Sequence, residues 1–219
     1  MSTEPTAAVQ SRPALSQAER TALSDRRMIE AAIELIVERG VEKATLKDIG
    51  ERAGYSRGLA TYRFGSKAGL FRAVIRAVGQ RWLGEVTRSV GQRRGVEALC
   101  ACVDGWSRFV TESPRHIRAL HILFYQCIGP DTGFRERVAD MLERQRADVA
   151  AWLRAGIDSG EVDPSIDPRR QAELFCAFIY GWTYQWLVEP GAIDFHGIGE
   201  DFKRALRASL AVPASRKAS

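Results

Sequence analysis

The segment from residue 45 to residue 67, TLKDIGERAGYSRGLATYRFGSK, limits the possible folds of this chain more than any other stretch. Thr45 precedes apolar residues at helical spacing and is a good N-cap, and Asp48 lies in the first turn, where a carboxylate stabilises the positive helix end. Gly54 suits a helix end because glycine tolerates positive φ, and Ser56 can cap a second helix. The spacing therefore predicts two short helices joined by a tight turn, which is the arrangement of a helix-turn-helix.

The charge around this segment distinguishes a DNA-binding motif from an ordinary helical hairpin in an all-α core. Between residues 52 and 84 there are seven basic residues and no Asp or Glu. Residues 25–94 contain fifteen Lys and Arg against eight Asp and Glu, whereas the whole chain has a net charge of only +5. Positive charge is thus concentrated on the segment that holds the motif, as phosphate binding requires.

An amphipathic stretch at residues 25–39 precedes the motif and can pack over it. Its apolar residues recur at i, i+3, i+4 and i+7, and Gly40 follows as a helix end. These apolar residues are Ile29, Ala32, Ile33 and Ile36. The pattern predicts a three-helix DNA-binding domain over residues 24–70.

Residues 25–75 resemble the N-terminal domain of the TetR family of bacterial transcription regulators. The resemblance rests on the opening helix RRMIEAAIELIVERG, then TLKDI, AGYSRG and FGSK, and finally Leu70 and Phe71. It covers about a quarter of the chain. Beyond this region the family diverges, and only its architecture is expected to carry over.

The resemblance implies that the start of the recognition helix faces the major groove of DNA. The residues at these positions are Ser56, Arg57, Gly58 and Leu59. Arg57 is the best candidate for reading a guanine, because its planar guanidinium can bond O6 and N7 together. Leu59 would contact a thymine methyl group.

Three further residues would contact the DNA around the groove. By resemblance, Thr45 would bond a phosphate from the start of the first motif helix. Lys67 would hold a phosphate beside the N-terminus of the next helix. Lys47 would reach either a base edge or a phosphate.

The sequence departs from the family pattern at residues 60–64, where Ala-Thr-Tyr-Arg-Phe stands in place of the usual Leu-Tyr-any-His/Tyr-Phe. Thr61 replaces a tyrosine that commonly contacts phosphate. Either Thr61 makes a shorter contact or Tyr62 takes over this role, and a third interpretation has Tyr62 covering the first helix. Arg63, in the His/Tyr position, would serve a phosphate.

The remainder of the chain reads as helices, without a competing alternating pattern of strands. The predicted spans are 67–89, 96–111, 114–126, 134–159, 168–188 and 198–210. The fold class is therefore all-α. A helix-turn-helix domain at 24–70 precedes a helical domain at 71–212, which the resemblance identifies as a ligand-binding and dimerisation domain. Flexible segments are expected at 1–23 and 213–219.

Aromatic residues are numerous in this second domain. By resemblance, its helices enclose a pocket for a small ligand, and aromatic linings with few polar groups are usual for such pockets. The candidates are Trp106, Phe109, Phe124 and Phe178. The alternative for each ring is an ordinary core or dimer contact. The expected effector is small and largely apolar, and its identity is left open.

The helix at 168–188 contains the run FCAFIYGWTYQWLV, which is apolar around its whole circumference. A helix of this kind is normally buried. The resemblance implies a homodimer joined through 168–188 and 197–211, which would read a palindromic operator in double-stranded DNA. The family's usual mode is a repressor released by its ligand. A ligand-dependent activator and a ligand-independent architectural protein are the alternatives.

Other function classes find little support in the sequence. No apolar run reaches the ~18 residues of a membrane span, and the N-terminus lacks the apolar region of a signal peptide, so a cytoplasmic protein without membrane contact is expected. A zinc site is conceivable, but the spacing of its candidate ligands matches no standard site. These ligands are Cys100, Cys102, His116 and His121. No nucleophile–base pair or phosphate loop is recognisable, which predicts a non-enzyme that needs no cofactor or metal.

Overall fold

A computed structural model of the protein describes residues 16–130 and 133–213. Over these two ranges the chain forms nine α-helices and no strand, which confirms the all-α class. The helices are α1 (Gln17–Lys43), α2 (Leu46–Arg52), α3 (Arg57–Phe64), α4 (Lys67–Val90), α5 (Gly95–Glu112), α6 (Pro114–Gln126), α7 (Arg135–Asp158), α8 (Pro168–Val188) and α9 (Phe195–Leu210). We call α1 to α3 the head and α4 to α9 the body.

The first helix begins earlier than the sequence pattern indicated. Ser16 and Glu19 form a capping box: the Glu19 amide donates to Ser16 Oγ at 3.2 Å, and the Ser16 amide donates to Glu19 Oε2 at 2.8 Å. Residues 17–23, expected to be flexible, are therefore helical, because both ends of this cap satisfy amides that a helix start leaves free. The rest of the two expected flexible segments, 1–15 and 214–219, lies outside the described residues.

The head is a small core built on α1. Gly40 has φ of 78° and interrupts α1 near the predicted end, after which one more turn follows. Ile49 of α2 and Ala60 of α3 are fully buried, and α2 packs on both α1 and α3. Gly50 lets the turn between α2 and α3 approach closely, since a Cβ there would lie 3.0 Å from the Ser56 carbonyl oxygen. The turn therefore holds the two short helices in one arrangement.

The body packs around α5, which contacts α4, α7 and α9. Its core includes Leu99, Val103 and Trp106, and the Trp106 indole donates a buried hydrogen bond to Thr183 Oγ1 at 2.7 Å. This bond ties α5 to α8. No helix in the described part of the chain is both long and apolar enough for a membrane crossing.

Head and body are joined by α4 and by contacts between α1 and α6. The boundary expected between residues 70 and 71 falls inside α4, which runs unbroken from one part into the other. His116 of α6 lies 3.1 Å from the Glu30 carboxylate of α1, and Arg81 of α4 lies 2.8 Å from the same imidazole nitrogen. The α4 helix therefore contacts both the head and the rest of the body.

Candidate functional site

The predicted helix-turn-helix is present as α2 and α3, each with the cap that the sequence indicated. Thr45 Oγ1 accepts from the Asp48 amide at 3.1 Å and donates to the Asp48 carboxylate at 2.6 Å. This hydrogen bond lowers the pKa of Asp48. Ser56 Oγ accepts from the Leu59 amide at 3.2 Å. Both hydroxyl groups thus hold the ends of the helices on which the remaining candidate residues lie.

A depression of about 540 Å³ separates the start of α2 from α3. It brings together five of the ten residues predicted to contact DNA, and these are Thr45, Lys47, Arg57, Thr61 and Lys67. Ser56 and Gly58 are exposed beside it, whereas Leu59 is half-buried and packs against the core. The surface is concave and polar at its edges, as a phosphate-bearing backbone would require.

Arg57 differs from the other cations of the motif because its side chain is exposed and, within the described residues, forms no ion pair. Lys47 lies 4.0 Å from Glu51 on the same helix face. Lys67 donates to the Glu42 carbonyl oxygen at 2.8 Å, and its ammonium group lies over the Phe71 ring. Arg57 is therefore the cation of this surface that is free to bind a base or a phosphate.

Arg63 is held on the opposite side of α3 from this depression. Its guanidinium forms a two-pronged ion pair with Asp25 of α1, with Nε donating to Oδ1 at 2.8 Å. The pair raises the pKa of Arg63. The role predicted for Arg63, a phosphate contact, would require this pair to open.

Much of the positive charge that pointed to DNA is paired inside the fold. Arg52 bonds Glu34 at 3.1 Å and Glu38 at 2.9 Å, and these bonds fix α2 on α1. Arg72 donates to the Gly133 carbonyl oxygen at 2.5 Å. Charge counting therefore located the correct part of the chain but overstated how many cations face outward.

Tyr62 is 81% exposed, so its ring does not cover the first helix, and that interpretation is wrong. Thr61 is also exposed and lines the depression. Both residues are accessible to a DNA backbone. The choice between a short Thr61 contact and a longer Tyr62 contact stays a prediction.

The body contains a cavity of about 340 Å³ between α4, α5, α7 and α8. Trp82 of α4 and Trp106 of α5 meet edge to face in its wall, with ring centroids 4.8 Å apart. Trp152 of α7, with Phe175 and Tyr180 of α8, also belongs to the aromatic lining. One of the four predicted pocket residues, Trp106, is among these lining residues.

The structure places the other three predicted rings outside the lining, which corrects the sequence-based choice. Phe109 lies beyond the tryptophan pair, 5.7 Å from Trp82. Phe124 packs 6.0 Å from Tyr180. Phe178 stacks at 3.6 Å on Phe202 of α9, because α8 turns this residue away from the cavity.

The residues missed from sequence include four polar side chains of α7 on the cavity side. They recur at helical spacing and are Arg137, Arg144, Gln145 and Asp148. The Tyr180 hydroxyl donates to the Gln145 side-chain oxygen. An amphipathic helix pattern assigns such residues to solvent, and nothing in the sequence separates them from the other polar residues of α7.

Two thiols and a phenol in the cavity wall are neutral at ordinary pH. Burial raises the pKa of Cys176 to about 11, and it also raises the pKa of Cys102 and of Tyr180. These groups can donate weak hydrogen bonds but do not supply an activated thiolate. In the described part of the chain, no group of three or more His, Cys, Asp or Glu is placed to hold a metal ion.

The outward side of α8 carries an uncharged stripe. It consists of Leu174, Ala177, Gly181, Tyr184 and Val188. Val188 is 66% exposed and Leu174 is 51% exposed. The expectation that α8 is buried all round is therefore met on one side only within a single chain, and the uncovered side is too apolar for a typical solvent face.

Comparison with known families gives two adjacent matches. Residues 28–74 match the family described as bacterial regulatory proteins, tetR family. Residues 96–198 match a tetracyclin repressor-like C-terminal domain. The two matches together span more than half of the chain and correspond to the head and most of the body.

Individual relatives agree with these matches. The HTH-type transcriptional regulator SrpR of Pseudomonas putida is 28% identical over 163 residues, which are 74% of each chain. The HTH-type transcriptional regulator TtgR of Pseudomonas putida is 26% identical over 178 residues, covering 78% of this chain and 83% of that protein. The structure of SmeT in complex with triclosan superposes with a TM-score of 0.73 at 21% identity, covering 87% of this chain and 93% of that one. This structural similarity shows that the two proteins share a fold.

Proposed function

The chain belongs to the TetR family of bacterial transcription regulators, and from this premise we propose that it is a homodimer that binds a palindromic operator and leaves it when a small ligand occupies the body cavity. The observation that carries the DNA-binding part is Arg57. It is exposed and unpaired within the described residues, at the first position of the recognition helix.

The proposed contacts follow from the surface around α3. Arg57 reads a guanine in the major groove, where a bidentate contact distinguishes bases by roughly 1–3 kcal/mol. Ser56, Gly58 and the exposed edge of Leu59 lie against the groove. Thr45, Lys47, Lys67 and one of Thr61 or Tyr62 contact phosphates, which position the helix without reading sequence.

The uncharged stripe of α8 supports the dimer. Gly181 lies in the middle of the stripe, and a Cβ added there would meet nothing within 4 Å in the single chain. A glycine facing open space allows a partner helix to approach closely. The proposed interface joins 168–188 and 197–211 to their copies, which places two recognition helices on one face of a duplex at roughly 34–36 Å.

The α4 helix supports a route from the ligand to the head. Arg76 and Gln80 line the body cavity and also a second cleft, which is bounded by Asp25 and Arg63 of the head. A ligand that favours one position of α4 shifts the population toward one spacing of the two heads. Operator DNA must then weaken ligand binding by the same factor.

The cavity favours this ligand-released repressor over a purely architectural protein. Its volume of about 340 Å³ lies within the range of small-molecule sites, roughly 300–1,000 Å³. Ligand-dependent activation uses the same parts and differs in which spacing the ligand favours. Because bacterial operators lie in the cytoplasm, we place the regulator there.

The test begins with selection of a binding sequence from a random duplex library by the full-length protein. Fluorescence anisotropy then compares the wild type with Arg57→Ala on the selected sequence and on a scrambled duplex. We expect Arg57→Ala to lose about tenfold to a hundredfold in affinity for the selected sequence, with little change on the scrambled one. Arg154→Ala, at an exposed arginine of α7, is the control and binds like the wild type.

Two results would contradict the proposal. Failure of any sequence to be enriched would oppose a sequence-specific regulator. Equal losses of affinity for selected and scrambled DNA would show that Arg57 contacts a phosphate and does not read a base.

A further inference from the structure

The walls of the body cavity are suited to a flat apolar group. Trp82, Trp106 and Trp152 come from three different helices, and together they present aromatic faces and edges to one small space. Phe175 and Ile179 of α8 close the opposite side. A volume of about 340 Å³ lies within the range of small-molecule sites, and the aromatic walls suit a ligand with one or two fused rings.

Three arginines interrupt this apolar lining. Arg76 comes from α4, and Arg137 and Arg144 lie seven residues apart on one face of α7. Across residues 16–130 and 133–213, none of the three forms an ion pair. Arg137 Nε is also buried without a hydrogen-bond partner in that part of the structure.

Several other arginines of the body have carboxylate partners. Arg108 pairs with Glu85 at 2.8 Å, and Arg207 pairs with Glu97 at 3.0 Å. Leaving a buried donor of a charged group unsatisfied costs free energy, which an anion entering the cavity would recover. Arg137 therefore carries a buried donor for which an anion in the cavity can supply the partner.

Asp148 is the acidic residue of the cavity lining, against three arginines. The lining therefore keeps a positive balance at neutral pH. Low-dielectric walls strengthen the attraction of such a balance for an anion.

We infer that the effector is a small aromatic carboxylate whose ring system lies among the three tryptophans and whose carboxylate pairs with Arg137. This inference rests on the proposed ligand-binding function and names the chemical class of the ligand. Arg144 and Arg76 lie at the same cavity and add to the attraction. Because Arg76 belongs to α4, an anionic ligand pulls directly on the helix that connects the cavity to the head, and an uncharged ligand of the same shape does not.

Isothermal titration calorimetry on the full-length protein tests this inference with a matched pair of probes, naphthalene-2-carboxylate and naphthalene-2-carboxamide. The two share shape and ring system and differ in charge. We expect the carboxylate to bind about tenfold more tightly, as a charge-assisted bond would give. Arg137→Gln should remove this preference and leave the affinity for the amide unchanged, and Arg137→Lys should retain part of it.

The control is Arg154→Gln, which removes an exposed arginine from the same helix and should keep the full preference. Arg144→Gln provides a second variant in case Arg137→Gln does not fold, and it should reduce the preference partially. Circular dichroism establishes that each variant is folded.

Equal binding of the two probes by the wild type would overturn the inference, and so would a preference that persists in both arginine variants. If operator DNA is bound and the amide binds as well as the carboxylate, the ligand-responsive regulator stands and only the anionic class fails. If neither probe binds while operator binding is intact, the inference of a small aromatic carboxylate fails, and the proposed binding to an operator stands.

Discussion

The head and the body differ in how their candidate sites are assembled. Every residue proposed to contact DNA falls within residues 45–67, on α2, α3, their N-caps and the first residue of α4. The cavity of the body draws on residues from 76 to 180 and on four helices. A site made from one contiguous segment depends on local geometry, whereas a site made from distant segments depends on how whole helices pack.

The two regions also use positive charge differently. In the head, Arg52 and Arg63 are paired with carboxylates of α1, and Arg57 is left free on the motif surface. In the body cavity, the three lining arginines form no ion pair within the described residues. They are Arg76, Arg137 and Arg144. Both proposed anion contacts therefore rest on which cations are unpaired, and not on the local count of cations.

The largest expected effect tests whether one chain can bind the operator without a partner chain. Gly181→Arg places a long cation on the α8 stripe, where the single chain has open space. We expect a folded monomer by multi-angle light scattering. Operator affinity should fall by on the order of a hundredfold, because the second half-site is no longer linked to the first.

Gly84→Arg is the matched control, since Gly84 also lies in a helix with nothing within 4 Å of an added Cβ. It should remain a dimer with wild-type affinity. A dimer that persists in Gly181→Arg would place the interface elsewhere and would separate the α8 stripe from DNA binding.

A second prediction concerns the phosphate contacts of the head. Lys47→Ala should lower the slope of log affinity against log salt by about one, and weaken binding to every DNA sequence alike. Anisotropy titrations at several salt concentrations measure this slope. An unchanged slope, or a loss confined to the selected sequence, would show that Lys47 reads a base edge instead. Arg154→Ala again serves as the control.

The third prediction concerns the body and its buried histidine. His121 Nδ1 lies 2.9 Å from the Ile117 carbonyl oxygen and therefore donates to it, and burial lowers the pKa of His121. The unfolded chain takes up this proton at about pH 6.5, but the folded chain does so only at lower pH. The stability contributed by neutral His121 is thus present above that pH and is lost as the pH falls toward the folded-state pKa.

Urea unfolding at about pH 7.5 and about pH 5.5 measures the effect, which is bounded by about 1.4 kcal/mol per pH unit for one proton. His121→Phe should flatten the pH dependence. His196→Gln, which changes an exposed histidine, should leave it as in the wild type. An identical pH dependence in His121→Phe and the wild type would contradict the assignment.

The smallest expected effect concerns the ion pair between Asp25 and Arg63, whose side chains are each 29% exposed. A double-mutant cycle with Asp25→Ala and Arg63→Ala should give a coupling of about 0.2–1 kcal/mol in thermal unfolding. The salt slope of DNA binding should not change in Arg63→Ala. A slope reduced by about one would show that Arg63 contacts a phosphate. It would also argue against Arg63 as a link between α1 and α3.

Sequence reasoning succeeded where short-range rules apply. The caps at Thr45 and Ser56 act on amides three residues away, so their chemistry is visible in the sequence itself. The start of α1 was missed although Ser16 and Glu19 have capping-box spacing, because the polar composition of the N-terminus outweighed that signal. The capping-box residues that start α1 are thus visible in the sequence.

The choice of cavity residues failed for a different reason. Phe175 and Phe178 lie less than one turn apart on α8, yet Phe175 lines the cavity and Phe178 stacks against α9. Periodicity shows that both rings belong to an apolar helix. It does not show which neighbouring helix each side of α8 meets.

The sequence by itself determined the all-α class and the two motif helices with their caps, because these depend on interactions within about four residues along a helix. Tertiary structure alone decided which cations are free and which rings enclose the cavity. Arg57 is unpaired and Arg63 is paired because α1 brings Asp25 beside one of them and not the other. Such pairings are set by distances between helices, which no local pattern contains.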